Sequence, residues 1–261
     1  MLNNPYQLPE LYELAFSWRD YTKAVDFITE AAKRAGLPAI GSMVELGCGP
    51  GQYCREFARR GITSYGVDLS PEMALYAQKL YDDENLPGYV LESDFRNFKL
   101  EKPVDLAICM MATFNLLLTN NDVVDHFNSV ADNLTEGGIY LIELPHPRDT
   151  FRMGSCSEDK WEMEKDDLKL SIDWSSNSVF DPAMEVDHTT VRLTTEKNGI
   201  TQIFESPEDA HRLGLGHLKA LIELSGRFRI VEIYGDLDIN QTFDKTKKSW
   251  RLIPVLQKTG A

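Results

Sequence analysis

Apolar residues recur every three or four positions between residues 8 and 35: Leu11, Leu14, Ala15, Trp18, Tyr21, Val25 and Ile28. That spacing predicts an amphipathic helix, stopped by Gly36 and Pro38. From Ser42 the pattern changes to short apolar runs separated by helical segments. Strands are expected at 43–46, 63–67, 88–91, 104–109 and 139–144, the last entered through Gly137 and Gly138. Helices are expected over 51–60 and 121–134, and from Ser70, where serine can cap and Pro71 occupies the first turn. Strands alternating with helices over about 100 residues predict a doubly wound α/β fold with a mostly parallel sheet and helices on both faces.

After Pro145 and Pro147 the alternation fails. Residues 148–166 read as polar and irregular, with 162–167 as a solvated loop. Leu168, Leu170, Ile172 and Trp174 then alternate with polar neighbours, followed more loosely by Val186, Val191 and Leu193, and by residues 200–204. A period of two predicts an antiparallel sheet with one wet face. The wound pattern resumes with a helix at 217–224 that Gly226 caps, a strand at 228–234 and a last strand near 250–256. The expected organisation is one α/β domain from 1–145 and 214–261, with 1–38 as a helical cap and 146–213 as a β-rich insert.

Length changes this picture little: 261 residues, at about 150 per domain, suit one large domain with an insert. Charge changes it more. With 27 Lys and Arg against 41 Asp and Glu, the net charge of −14 makes a nucleic acid a poor partner. No apolar run approaches the ~18 residues of a membrane span, and the start, MLNNPYQLPELYEL, lacks the basic and apolar regions of a signal peptide. A cytoplasmic protein is expected, with neither membrane nor nucleic acid as partner. Cys48, Cys54, Cys109 and Cys156 form no C-x-x-C pair and have no histidine at zinc-finger spacing, so they read as buried thiols and indicate no metal site.

The chemistry concentrates in Glu45-Leu46-Gly47-Cys48-Gly49-Pro50-Gly51, at a strand-to-helix junction. Glycines there let backbone N–H groups approach a ligand at the positive end of the next helix. Asp68 ends the second strand 19 residues beyond Gly49, where a carboxylate can hold two ribose hydroxyls. A dinucleotide fingerprint needs glycine at position 52, which is Gln52 here, and Glu45 beside the loop would repel a pyrophosphate. The charge logic favours a cationic nucleoside.

With Gly66-Val67-Asp68-Leu69-Ser70-Pro71-Glu72-Met73, Glu92-Ser93-Asp94-Phe95 and Leu134-Thr135-Glu136-Gly137-Gly138-Ile139-Tyr140, that loop resembles the S-adenosylmethionine-dependent methyltransferases of the seven-stranded Rossmann-like class. The resemblance covers roughly 40–145 and extends more weakly to the terminal strands, where the layout is similar to small-molecule methyltransferases with an inserted lid, amino-sugar N-methyltransferases among them. It implies that S-adenosylmethionine is the cofactor. Gly47, Gly49 and Gly51 would line its methionyl and ribose portion, Glu45 would belong to the same cofactor site, and Asp68 would hold the ribose diol. Leu69 would pack on one adenine face, Met73 would belong to the cofactor site, Asp94 would accept from the adenine N6 amine beside Phe95, and Met110 would approach the methionyl part. For Leu69, Phe95 and Met110 plain core packing is the competing reading.

Methyl transfer from a sulfonium is an in-line displacement, so the protein's work is positioning and exclusion of water. A base is needed only where the acceptor arrives protonated. His146, directly after the fifth strand, is the first candidate base, and its alternative is a capping histidine; His188 in the insert is a weaker one. The insert, at the carboxyl edge of the sheet, is expected to cover a small-molecule acceptor. Tyr12, Trp18 and Tyr21 fit core packing or an aromatic lid. A non-catalytic nucleoside-binding module on the same fold and a nicotinamide-dependent dehydrogenase are the alternatives.

Overall fold

Local capping chemistry sets many of the element boundaries. In the computed structural model, which describes residues 4–151, 158–177, 183 and 185–260, Ser70 accepts from Met73 N at 3.3 Å with Pro71 behind it, as its sequence context predicts. Thr119 and Asp122 form a reciprocal capping box, and Gly226 ends a helix at φ 64°. The chain order is α1 (Pro9–Ala15), α2 (Tyr21–Arg34), β1 (Ser42–Leu46), α3 (Gln52–Arg59), β2 (Thr63–Asp68), α4 (Pro71–Glu84), β3 (Gly88–Glu92) and β4 (Val104–Cys109). It continues with α5 (Asn120–Asp132), β5 (Leu134–Ile142), β6 (Leu144–Pro145), α6 (Pro147–Thr150), β7 (Glu158–Lys165), β8 (Leu168–Ser176), β9 (Val186–Lys197) and β10 (Ile200–His211). It closes with α7 (Leu215–Ser225), β11 (Phe228–Tyr234) and β12 (Arg251–Lys258).

The main sheet runs β3-β2-β1-β4-β5-β12-β11, with β6 pairing the start of β12. The first five strands are parallel and β12 is antiparallel to both of its neighbours. Successive residues of β4 serve opposite faces. Leu106 and Ile108 pack with Ile28 of α2 and Phe57 of α3, whereas Ala107 and Cys109 pack with Phe127 of α5 and Leu218 of α7. The chain leaves β1 for β2 and β3, then returns to place β4 on β1's other side. The carboxyl ends of β1 and β4 therefore flank a topological switch point, where α/β sheets bind ligands.

Strands β7 to β10 form a separate antiparallel meander. Leu170, Ile172 and Leu193 from this sheet close a third core with Ala15 and Phe16, and Leu11, Tyr12 and Leu14 of α1 pack against it. The N-terminal segment is thus the wedge between the insert and the α/β domain. No helix among the described residues is long and apolar enough to cross a membrane.

Three expectations need correction. The single N-terminal helix is two, because Ser17 Oγ bonds back to Leu14 O, Asp20 accepts from Lys23 N to start α2, and Arg19 turns inward. A 3.6 period cannot register that break, since both pieces bury the same kind of face. Within 148–166, α6 and the whole of β7 are regular, and the expected solvated loop at 162–167 is mostly strand. Trp161 and Met163 alternate with Glu162 and Glu164 there, a pattern masked by the charges that an edge strand carries. β5 begins at Leu134 rather than after the glycine pair, since Val104 pairs with Leu134 before the register shifts. Cys156 lies outside the described residues; Cys48, Cys54 and Cys109 are buried free thiols.

His126 of α5 is fully buried between Phe95 O (3.0 Å from Nδ1) and the Tyr140 hydroxyl (2.7 Å from Nε2). Burial pushes its imidazole down to about 4 from the usual 6.5, against the smaller opposing pull of the Phe95 carbonyl. The unfolded chain therefore takes up a proton here below about pH 6.5 while the folded chain stays neutral. The stability this provides is complete above that value and is lost as pH falls toward 4. Between pH 7 and pH 5 the wild type should lose about 2 kcal/mol more than a His126→Gln variant. Urea unfolding at both pH values measures the difference, and equal losses would show that His126 titrates normally.

Candidate functional site

Glu45, near the end of β1, points beneath the glycine loop rather than into solvent. Its Oε2 accepts from Cys54 N at 3.0 Å and lies 2.8 Å from Cys54 Sγ. That N–H belongs to the first turn of α3, so Glu45 caps the helix. Burial pushes its carboxyl well above the usual range, toward the neutral form. The argument that Glu45 repels a pyrophosphate is corrected accordingly: this acid disfavours an anion at α3 by already using a terminal amide, and its charge is not required.

The loop itself packs against the end of β4. Gly47, at φ 65°, has no room for a side chain: a Cβ there would lie 2.2 Å from Thr113 Cγ2. Met111 and Ala112, at φ 55° and 66°, turn the chain so that Thr113 reaches this position. Gly49, at φ 51°, lies under the Tyr12 ring, whose Cε1 would be 3.7 Å from a Cβ. Gly51 faces Ala77 of α4 and does not line the cavity, so of the three loop glycines Gly47 and Gly49 do.

Between the two sheets is a cavity of about 1360 Å³, above the ~300–1,000 Å³ of a typical single-ligand pocket, so it has room for two. The sequence-chosen residues Glu45, Asp68, Leu69, Met73, Asp94, Phe95 and Met110 all line it. Asp68 Oδ2 accepts from Gly49 N at 2.7 Å and Oδ1 from Ser70 N at 2.9 Å. A carboxylate offers about four acceptor positions, so two remain for ligand hydroxyls. Burial raises the Asp68 carboxyl, while these backbone donors pull it down. Leu69 is 66% exposed, which removes core packing as its role and leaves an apolar platform on the cavity floor. Met73 and Met110 are buried and contribute edges. Phe95 packs edge-on to His126 at 5.1 Å. Asp94 is held by Arg96, 2.6 Å from Nη2, and Arg96 in turn reaches Asp122. The Arg96 hydrogen bonds keep Asp94 below the usual carboxylate range.

The structure places His146 differently from a base. Its Nδ1 accepts from Arg148 N at 3.0 Å, capping α6, so the ring proton is on Nε2, which donates to Asp244 O at 2.9 Å. The ring stacks on Phe243, with 4.8 Å between centroids. Neither nitrogen has a lone pair left for an acceptor. His188 is exposed and pairs with Asp209 at 2.6 Å.

Sequence reasoning missed one group wholly and a second in all but Tyr12, which the sequence offered as part of an aromatic lid. The first is Glu143, fully buried between β5 and β6, which accepts from Arg19 at 2.6 Å and from Met111 N at 3.1 Å, with Arg251 Nε 3.1 Å from its other oxygen. Burial pushes the Glu143 carboxyl up, but the two guanidiniums win and hold it below its usual range. Two cations against one anion leave a positive wall behind Tyr53, whose hydroxyl accepts from Arg19 Nε at 3.0 Å. No spacing rule joins residues 19, 143 and 251.

The second is an aromatic wall. Tyr6, Tyr12 and Phe16 form a ladder with centroids 5.6 and 4.8 Å apart, and Phe16 meets Trp161 and Trp174 at 5.5 and 6.2 Å. At its end Glu208 of β10 accepts from Tyr6 OH and from Trp174 Nε1 at 3.1 Å. Burial raises the Glu208 carboxyl above its usual range, against the pull of these donors. Tyr12 belongs to this wall and Trp18, half exposed, also lines the cavity. Tyr21 sits edge-on to Tyr53 at 4.9 Å, with its hydroxyl donating to Phe16 O, and braces the α1–α2 break.

Comparison with known proteins agrees with this geometry. Residues 43–138 match a family model described as a methyltransferase domain. A dTDP-3-amino-3,4,6-trideoxy-alpha-D-glucopyranose N,N-dimethyltransferase of Streptomyces venezuelae is 26% identical over 152 residues, 58% of this chain and 62% of that protein. A trans-aconitate 2-methyltransferase of Rhizobium etli is 29% identical over 141 residues, 51% of each chain. The chain thus spans between half and two thirds of the length of these curated relatives. The crystal structure of an S-adenosylmethionine-dependent methyltransferase from Clostridium acetobutylicum superposes with a TM-score of 0.78 at 18% identity, covering 95% of this chain and 96% of that one. That likeness extends the shared fold through the insert and the terminal strands. With the β1 loop, Asp68 and the strand order in agreement, residues 43–138 are similar to methyltransferase domains, on a fold shared with that S-adenosylmethionine-dependent enzyme.

Proposed function

We propose that this chain transfers a methyl group from S-adenosylmethionine to the nitrogen of a small amine enclosed between the two sheets. The cavity fits that cofactor: Gly47 and Gly49 present bare backbone, Asp68 keeps two acceptor positions, and Leu69 offers an exposed apolar face. Asp94 and Phe95 would border the adenine, and Met110 the methionyl part. The surplus positive charge of Arg19 and Arg251 over Glu143 suits the cofactor's carboxylate. When bound, the cofactor supplies a sulfonium methyl open to in-line attack.

The observation that carries the amine is Glu208 at the end of the aromatic wall, linked through Tyr6 and Tyr12 to the glycine loop. A carboxylate framed by aromatic faces attracts an ammonium, by Coulomb attraction and by cation–π contact. An ammonium must lose its proton before its nitrogen can attack. Glu208, with a carboxyl raised by burial, is a better proton acceptor than an ordinary carboxylate and takes the role first sought in His146. The Streptomyces relative named for N,N-dimethylation of an amino sugar supports the amine class. On this reading 1–145 and 214–261 hold the cofactor and 146–213 covers the acceptor, with Trp161, Trp174 and Glu208 as its contribution. The net charge of −14 argues against a nucleic-acid acceptor, and the buried thiols suit the reducing cytoplasm.

Calorimetry should detect S-adenosylhomocysteine binding and little affinity for NAD. Asp68→Ala should weaken the former by about 1.5–3 kcal/mol, the scale of a lost charge-assisted hydrogen bond. Tight NAD binding without a response to S-adenosylhomocysteine would overturn the cofactor assignment.

Glu208→Gln should lower kcat/KM for a small amine by about 100-fold, the lower end of general acid–base contributions, and abolish the acidic limb of its pH profile. Its S-adenosylhomocysteine affinity should stay within about threefold, or 0.7 kcal/mol. Labelled-cofactor turnover on amine, hydroxyl and thiol panels provides the readout. Unchanged turnover and pH profile in the variant would exclude Glu208 as the proton acceptor, and cofactor binding without turnover on any panel would favour the non-catalytic module.

A further inference from the structure

We infer that Glu185, His211 and His217 form a binding site for a divalent transition-metal cation of the zinc type, outside the methyl-transfer cavity. One ligand atom from each of the three lies within 4.8 Å of the others. They come from three separate segments: Glu185 just before β9, His211 at the end of β10, and His217 in the first turn of α7. Metal–ligand bonds of about 2.0–2.1 Å at tetrahedral angles place ligand atoms about 3.4 Å apart. His217 Nδ1 and Glu185 Oε1 already stand at 3.5 Å, so side-chain shifts of about an ångström or less close the remaining separations.

The second observation is how His211 is held. It is buried, and its Nδ1 donates to Leu117 O at 2.9 Å. That bond fixes the ring and its tautomer, and leaves Nε2 with its lone pair as the ligand atom, which is how outer hydrogen bonds prepare metal-binding histidines. The His211 and His217 rings stand 5.7 Å apart at 77°, a placement suited to converging lone pairs and not to stacking. The neighbouring carboxylate, Asp187, is already taken by Arg212 at 2.6 Å, so the set has one carboxylate and two imidazoles. Two nitrogens and one oxygen suit zinc, cobalt or nickel better than calcium or magnesium, and leave a fourth position for water.

Position gives the site a role. Glu185 directly precedes β9, whose Val186 pairs with His211 of β10, while His217 lies in the first turn of the helix with which the α/β domain resumes. A bound cation would tie the base of the insert to α7, two residues from Asp187 and one from Ala210, both of which line the cavity. Cysteine spacing gave no sign of this, because the site uses no cysteine and its residues are 26 and 6 positions apart.

The test is metal binding by the full chain after chelator treatment, read without reference to activity. Equilibrium dialysis with zinc chloride should give one equivalent per chain with a Kd of micromolar order or tighter, and cobalt chloride should give a visible absorption band. Thermal unfolding should rise by about 2–4 °C in zinc. His217→Ala, at a partly exposed position that does not endanger the core, should weaken zinc at least tenfold and remove both the band and the shift. Glu185→Gln should act in the same direction. His188→Ala, a surface histidine paired with Asp209, should leave all three readouts unchanged. Absence of zinc binding in the wild type, or equal binding in the wild type and His217→Ala, overturns the site and leaves His217 as an ion-pair partner of Glu185.

Discussion

The arrangement of the cavity depends on one buried carboxylate. Glu143 occupies the gap between β5 and β6, and its backbone continues the pairing with β4 through Cys109 O while its own carbonyl accepts from Ala112 N. Its side chain binds Arg19 from the α1–α2 break, Met111 N from the turn after β4, and Arg251 from the start of β12. Removing one partner of such a buried pair leaves an uncompensated charge and costs about 3–5 kcal/mol. The N-terminal segment can therefore wedge between the sheets only while Glu143 receives Arg19. The left-handed turn at Met111 and Ala112, which sends Thr113 against Gly47, is held by the same group.

From that constraint follows a division between the two walls. The α/β sheet contributes backbone and acids: Gly47, Gly49 and Asp68, held by short bonds at the ends of parallel strands. Buried strands with helices on both faces fix these positions firmly. The insert and α1 contribute aromatic side chains and Glu208 across a smaller core of Ala15, Phe16, Leu170, Ile172 and Leu193. One wall thus presents backbone and Asp68, and the other an aromatic surface in which Glu208 is held by two members of the wall itself. On the proposed reading, the chemistry of the acceptor is set on the second wall.

The capping network also changes what individual residues contribute. Glu45, Asp94 and His146 are polar residues beside the cavity, yet each is partly or wholly engaged by the protein: Glu45 by α3, Asp94 by Arg96 and His146 by α6 and Asp244. Asp68 differs because its two backbone donors leave acceptor capacity. Glu208 differs because both of its partners, Tyr6 and Trp174, are themselves part of the cavity wall.

Much of the fold was legible in the chain. The alternation of strands and helices, the cap at Ser70, the stop at Gly226 and the loop from Gly47 are local patterns, and local patterns are what periodicity and turn chemistry encode. Asp68 and the exposed Leu69 were equally accessible, since they follow a strand end at a short, regular distance. What sequence alone could not determine was where polar side chains would find partners. The α1–α2 break exists because Arg19 reaches Glu143, 124 residues away. Strand β7 exists because a polar edge can pair with β8, and His146 is a cap because Asp244 lies beside it. Glu208 joins Tyr6 across 202 positions, and Glu185, His211 and His217 meet only once the insert is folded onto α7. A buried charge or lone pair takes the partner that three-dimensional packing brings within about 3 Å. Spacing along the chain carries no information about that partner, so the glycine loop was readable while the aromatic wall facing it was decided by the tertiary structure.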